Sequence, residues 1–190
     1  GIMLFHYPTE PGSTVGVDFS FREYFQQALQ SEHAVVSRGR VSPTTGQPVA
    51  TTVMPIRDAQ GAFLGVVATN LKLESLSETM AAIAADFEPS RFRVSILDAA
   101  GQVIADPDPQ ALLQPLSPGL DNSLLGGPST SSISLDLQGD EWLLTYVPIP
   151  SAGWGVVVQR PVAAAFASVR AFHQGMLLAG AVAYYALLSI

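Results

Sequence analysis

Cysteine is absent from the 190 residues of the chain, which excludes a disulfide framework, thiolate chemistry and any cysteine-ligated metal. Histidine is scarce. The three present, His6, His33 and His173, stand far apart without metal-ligand spacing, so no metal is expected. Basic residues number nine against sixteen acids, for a net charge of −7. They form no cluster, which argues against a nucleic-acid partner. No Gly-x-Ser-x-Gly elbow, phosphate-cradling glycine loop or dinucleotide fingerprint occurs, so no cofactor is expected. The carboxylate pair Asp106 and Asp108 lies in Asp-Pro-Asp-Pro and reads as a solvated turn, and Asp121-Asn122-Ser123 reads as loop. Catalysis has no positive support, and the chain reads as a non-enzyme.

Charge is also missing from the tail. All sixteen acids lie at or before Glu141, and beyond it only Arg160 and Arg170 are charged. From Gly175 to Ile190 every residue is apolar or small, without the polar stripe of a core helix. Those sixteen residues would rise ~24 Å as a helix against a hydrocarbon core of ~30 Å. The expectation is a helix starting at Pro161 and running into a transmembrane span that continues past Ile190, with Arg170 and His173 near the membrane surface. With Gly1 in place of Met, both ends read as cut.

The body is rich in short runs of Val, Ile, Thr and Tyr punctuated by Gly and Pro, the pattern of antiparallel strands. Strands are expected at Ile2–Tyr7, Ala34–Arg40, Ala50–Ile56, Phe63–Asn70, Arg91–Asp98, Gln102–Ala105, Ser132–Leu137, Glu141–Ile149 and Trp154–Gln159. Helices are expected at Phe21–Gln30, with a Ser20/Glu23 capping box and a Phe19–Tyr24 staple, and at Glu74–Asp86, before Pro89. Two blocks repeat. Val53-Met54-Pro55-Ile56 followed by Gly65-Val66-Val67 parallels Tyr146-Val147-Pro148-Ile149 followed by Gly155-Val156-Val157. Gly1–Leu4 would then be the second half of a hairpin matching Ile96–Ile104.

The residues best suited to binding lie in Asp18-Phe19-Ser20-Phe21-Arg22-Glu23-Tyr24-Phe25. A cation in the first turn of a helix opposes the helix dipole. Beside free backbone N–H groups it suits an anionic ligand group such as a carboxylate. Tyr24 and Phe25 would wall that ligand. The plainer alternative pairs Arg22 with Asp18 or a surface acid and puts the aromatics in the core.

The blocks Asp-x-Ser-x-Arg-x-Tyr-Phe, Val36-Ser37, Thr45-Gly46-Gln47-Pro48, Pro55-Ile56-Arg57-Asp58-x-x-Gly61 and Gly65-Val66-Val67 resemble the membrane-distal half of a double Cache (dCache, PAS-like) extracytoplasmic sensor domain. Val94–Pro107 and Trp142–Arg160 resemble its proximal half. The resemblance implies an α+β fold of two tandem PAS-like modules with antiparallel sheets, followed by a C-terminal helix running into a transmembrane span. The distal module would cover residues 1–72, a connecting helix 73–90, the proximal module 91–160 and the exit helix 161–190. A first span and a long N-terminal helix, the helix usually mediating homodimerisation in the family, would precede Gly1.

Such domains are carried by chemoreceptors, histidine kinases and diguanylate cyclases of the bacterial inner membrane. Residues 1 to about 172 would then be periplasmic, with the output domain beyond Ile190. The resemblance places Arg22 on the carboxylate-holding arginine and Tyr24 and Phe25 on the aromatic pair. Ser37, Thr52 and Met54 fall on pocket strands. Asn70 stands where amino-acid-binding members carry an aspartate for the ligand ammonium, and Val17 where they favour a tyrosine. A neutral amide supplies no charge, so a small organic acid is favoured over an amino acid. Arg91 and Arg93 are expected to face solvent, and the proximal module to transmit ligand closure through Glu74–Asp86 to the tail helix. The rival reading is a membrane-tethered interaction or structural domain without a small-molecule ligand.

Overall fold

A computed structural model of the chain describes residues 1–8, 13–85, 92–116, 131–137 and 140–166. The fold is α+β, with two antiparallel sheets and few helices. The elements are α1 (Glu23–Gln30), β1 (Val35–Val36), β2 (Arg40–Val41), β3 (Pro48–Arg57), β4 (Phe63–Lys72), α2 (Leu73–Ala85), β5 (Arg93–Leu97), β6 (Val103–Ala105), β7 (Ser131–Leu137), β8 (Asp140–Ile149), β9 (Trp154–Pro161) and α3 (Val162–Ala165).

The first sheet is organised on β3. One edge of β3 pairs with β1 and then β2, and the other pairs along its length with β4. Val49, Thr51, Val53 and Pro55 of β3 are buried, whereas Met54 and Ile56 on the opposite face are exposed. The buried face carries α1, whose Tyr24 and Ala28, one turn apart, pack with Val53 and are flanked by Phe25, Val35 and Val66. Arg57 closes the far end of α1: its Nη2 donates to the carbonyls of Leu29 and Ser31.

The second sheet runs β6-β5-β9-β8-β7. Its core of Leu97, Val103, Leu144, Tyr146 and Val157 is covered by Ala111, Leu116 and Trp142. A third cluster joins the sheets: Ala50 of β3, Leu73 at the head of α2 and Ile104 of β6, with Ile96, Leu112, Leu113 and Trp154 around them. The two repeated sequence blocks form the β3–β4 and β8–β9 hairpins. Two turns also share their chemistry. Asp58 Oδ1 accepts from the N–H groups of Gln60 and Ala62, and Asp98 Oδ1 from those of Ala100 and Gln102. In each, a glycine with positive φ, Gly61 or Gly101, completes the turn.

Several expectations are corrected. Ile2–Tyr7 forms no strand; Ile2 makes a single bridge to Asp18. The run Ala34–Arg40 is broken in two. The Ser37 hydroxyl, rather than a backbone carbonyl, accepts from the Thr51 N–H, and the chain leaves the sheet at Arg38 and Gly39 before rejoining at Arg40. The Ser20/Glu23 capping box does not form. Ser20 donates both N–H and hydroxyl to Asp18, Arg22 is the N-cap residue, and Glu23 pairs with Arg38.

The reading of Asp106 as solvated is also overturned, while Arg93 keeps 40% of its side chain exposed and turns its guanidinium to Asp106. Asp106 is 1% exposed. It accepts both Arg93 Nε and Nη2 and the Ser95 hydroxyl, at 2.6 Å for the latter. Asp108 is the exposed member of the pair and caps the short 3₁₀ turn at Pro109–Ala111. Arg91, Asp121–Ser123 and the expected span at 175–190 lie outside the described residues. Among the described residues no helix is long and apolar enough to cross a membrane.

Candidate ligand-binding site

The face of the first sheet beneath α1 carries a cross-strand row of polar side chains. Ser37 meets Thr51 through paired backbone and hydroxyl hydrogen bonds, and Thr51 stands opposite Asn70 in the β3–β4 register. The next row on the same face is Arg40, Val49 and Lys72. Side chains two residues apart on a strand share a face, so both rows lie on the face that carries α1, with Arg40 against Tyr24 and with Asn70 and Lys72 exposed.

These groups form a chain of defined polarity. Arg40 Nη2 donates to the Thr51 hydroxyl at 2.6 Å, and that hydroxyl, having one proton, donates to Asn70 Oδ1 at 2.7 Å. The Arg40 guanidinium lies over the Tyr24 ring, 5.3 Å from its centroid, and that of Arg22 over Phe21 at 4.9 Å. Such contacts stabilise a cation without neutralising it. Arg22 Nε and Arg40 Nε and Nη1 are buried and lack hydrogen-bond partners.

Burial lowers Arg40 from the ordinary guanidinium range; Tyr24 opposes this and the nearby Arg22 charge adds to it. The acids nearest in sequence are engaged elsewhere: Asp18 with Ser20, and Glu23 with Arg38. Two partly buried cations therefore lie near each other, each over its own aromatic ring, and no carboxylate among the described residues pairs with either. Such an arrangement favours an anion.

Of the residues picked from sequence, Arg22, Tyr24, Ser37 and Asn70 are brought to this face. Ser37 has both hydrogen-bonding functions spent, accepting from Thr51 N–H and donating to Arg38 O. Phe25 turns its edge to Phe63, with ring centroids 5.8 Å apart. Strand alternation points Thr52 and Met54 to the opposite face, where Met54 is 49% exposed. Arg40 and Thr51 were not anticipated. Among the described residues no group of three or more His, Cys, Asp or Glu side chains is placed to hold a metal.

The Cache domain model dCache_1 matches residues 1–169. The chain belongs to the Cache domain family. Its fold is similar to the ligand-binding domain of the Pseudomonas fluorescens chemoreceptor CtaA, solved with L-isoleucine. That match has a TM-score of 0.61 and 19% identity, covering 80% of this chain and 62% of that one. The ligand-binding domain of Mlp24, solved with asparagine, matches with a TM-score of 0.62 and 20% identity over 85% and 64% of the two chains. That of the Pseudomonas aeruginosa amino acid chemoreceptor PctB, solved with L-Arg, matches with a TM-score of 0.63 and 17% identity over 85% and 68%. This Cache chain thus spans somewhat under two thirds of the length of the first two solved domains.

Proposed function

We propose that this Cache chain is the extracytoplasmic ligand-sensing part of a membrane-bound signalling receptor. It binds a small carboxylate at the Arg22–Arg40–Tyr24 site. The carrying observation is that two neighbouring, partly buried guanidinium groups, over Phe21 and Tyr24, keep buried N–H groups without partners and have no acid paired to either. The ligands named with the solved relatives, L-isoleucine, asparagine and L-Arg, all carry a carboxylate, which supports the same chemistry. Asn70 offers no negative charge to an ammonium, so an organic acid is favoured over an amino acid.

In this reading residues 1–72 are the membrane-distal PAS-like module, 73–90 a connecting helix and 91–160 the proximal module. Residues 161–190 lead into a membrane span, with the output domain beyond. Closure on ligand at the distal site would bias α2, whose Ser77 hydroxyl accepts from the N–H of Asp106 in the second sheet, and through it the exit helix. A ligand shifts such a device only by binding its two states unequally. The interaction-domain alternative needs Arg22 paired to an acid, and no such pair is found among the described residues.

A thermal-shift screen of the full chain against organic acids, amino acids, amines and purines tests the proposal. Ligand at a hundredfold excess over Kd stabilises by about 2.7 kcal/mol. A hit that disappears in Arg22→Ala, with the unliganded stability kept, supports the sensor reading. Absence of any hit moves the assignment to an interaction domain.

A further inference from the structure

We infer that the ligand is a small dicarboxylate, with Arg22 holding one acid group and Arg40 the other. This rests on the sensor reading above and narrows it.

Each guanidinium has its own mount. Arg22 belongs to the start of α1 and lies over Phe21; Arg40 belongs to β2 and lies over Tyr24. Tyr24, the ring under Arg40, is two residues from Arg22 at the start of α1, and the Arg22 charge adds to what disfavours the charged form of Arg40. One carboxylate neutralises one of them and leaves the second cation partly desolvated. A second carboxylate removes that cost, because an unpaired charge away from water is far more expensive than a paired one. Lys72, the only lysine of the chain, stands two strands from Arg40 in the same cross-strand row and adds to the positive potential.

Asn70 supplies a further donor. Asn70 Oδ1 is occupied by the Thr51 proton, and that proton is directed there because Arg40 donates to the same hydroxyl. The amide therefore presents its NH2. Arg22, Arg40 Nε and Nη1 and the Asn70 NH2 can only donate. A ligand that only accepts, at two acid groups, matches this lining. An ammonium group would face donors and cations.

Isothermal titration of the full chain with a ligand ladder tests the inference. Succinate is compared with butyrate, which lacks one acid group, with aspartate, which adds an ammonium, and with inorganic phosphate, a dianion on a single centre. Succinate is expected to bind about 10- to 100-fold tighter than butyrate, the value of one further charge-assisted contact, and tighter than aspartate or phosphate. Arg40→Met should bring succinate down to the butyrate level while leaving butyrate binding through Arg22. Asn70→Asp keeps the acceptor for Thr51 and the side-chain shape. It should weaken succinate and narrow or reverse the gap to aspartate.

Butyrate, aspartate or phosphate binding as tightly as succinate to the wild-type chain overturns the dicarboxylate assignment while leaving a carboxylate sensor in place. Because that comparison uses wild type alone, it decides the matter even where Arg40→Met does not fold. Failure of every anion to bind removes both readings together.

Discussion

The backbone N–H of Gly39 donates to Asp98 Oδ2 at 2.9 Å, joining the break between β1 and β2 to the hairpin that opens the second sheet. Gly39 sits directly before Arg40 of the candidate site, and it is packed as tightly as it is bonded. A Cβ there would lie 2.8 Å from both Ile104 Cγ2 and Leu113 Cδ2. Gly39→Ala should therefore force the two sheets apart and destabilise the chain by about 1–3 kcal/mol, the usual cost of overpacking. Urea denaturation measures this. A midpoint equal to wild type would mean that the contact between the sheets yields freely.

Asp106 is the most consequential carboxylate of the second sheet. Its oxygens serve Arg93, the Ser95 hydroxyl and the Asp108 N–H, while its own N–H reaches Ser77 of α2. Asp106 is buried while Arg93 keeps 40% of its side chain in water, so replacing the acid costs mainly the hydrogen bonds it accepts inside the sheet. Asp106→Asn should cost about 1–3 kcal/mol, whereas Asp108→Asn, at an exposed cap, should cost well under 1 kcal/mol, about a few tenths. Similar small losses for both variants in urea denaturation would place Asp106 among ordinary surface charges.

How far sequence reading reached follows from these residues. The hairpins were legible because Gly-Val-Val after a Pro-Ile strand recurs at positions 65 and 155, and most strand bounds differ little from those expected. Arg22 and Tyr24 were legible through their motif. The choice between Thr51 and Thr52 was not. β3 reads Pro-Val-Ala-Thr-Thr-Val-Met-Pro-Ile-Arg, apolar on both faces, so alternation names no buried side. Arg40 was hidden because nothing local marks where a strand leaves its sheet and returns. Asp106 was hidden because its partner Arg93 lies thirteen residues earlier, and Asp-Pro-Asp-Pro alone has the composition of a solvated turn.

Gly155 lies diagonal to Tyr146 across the β8–β9 pair, and a Cβ added there would run into the Tyr146 ring. The glycine makes room for a phenol that is 8% exposed, and burial raises that phenol above its ordinary value of 10.0. The unfolded chain therefore loses this proton first. The stabilisation from keeping the phenol neutral is complete below pH 10.0 and is lost as pH rises through the higher folded value. Urea midpoints followed between about pH 9 and 11.5 should fall more steeply for wild type than for Tyr146→Phe. Parallel curves would show that the phenol is free to ionise in the folded chain.

Arg57 fixes α1 from the opposite end to the candidate site. Its Nη2 bonds the carbonyls of Leu29 and Ser31, its Nη1 bonds that of Gly61, and its guanidinium lies 5.6 Å from the Phe63 centroid, the ring that Phe25 of α1 meets edge-on. A cation at a helix C-terminus also complements the dipole. Arg57→Ala should cost about 1–2 kcal/mol, and Arg57→Lys should restore the charge but not the forked bonding or the planar stacking. Because α1 starts at the residue after Arg22, loosening its end should be felt at the site as weaker ligand binding. Hydrogen exchange of the α1 amides separates this from a general loss of stability. Exchange should speed up in α1 while the second sheet keeps its protection, and an unchanged α1 would mean that Phe25, Tyr24 and Ala28 hold the helix without Arg57.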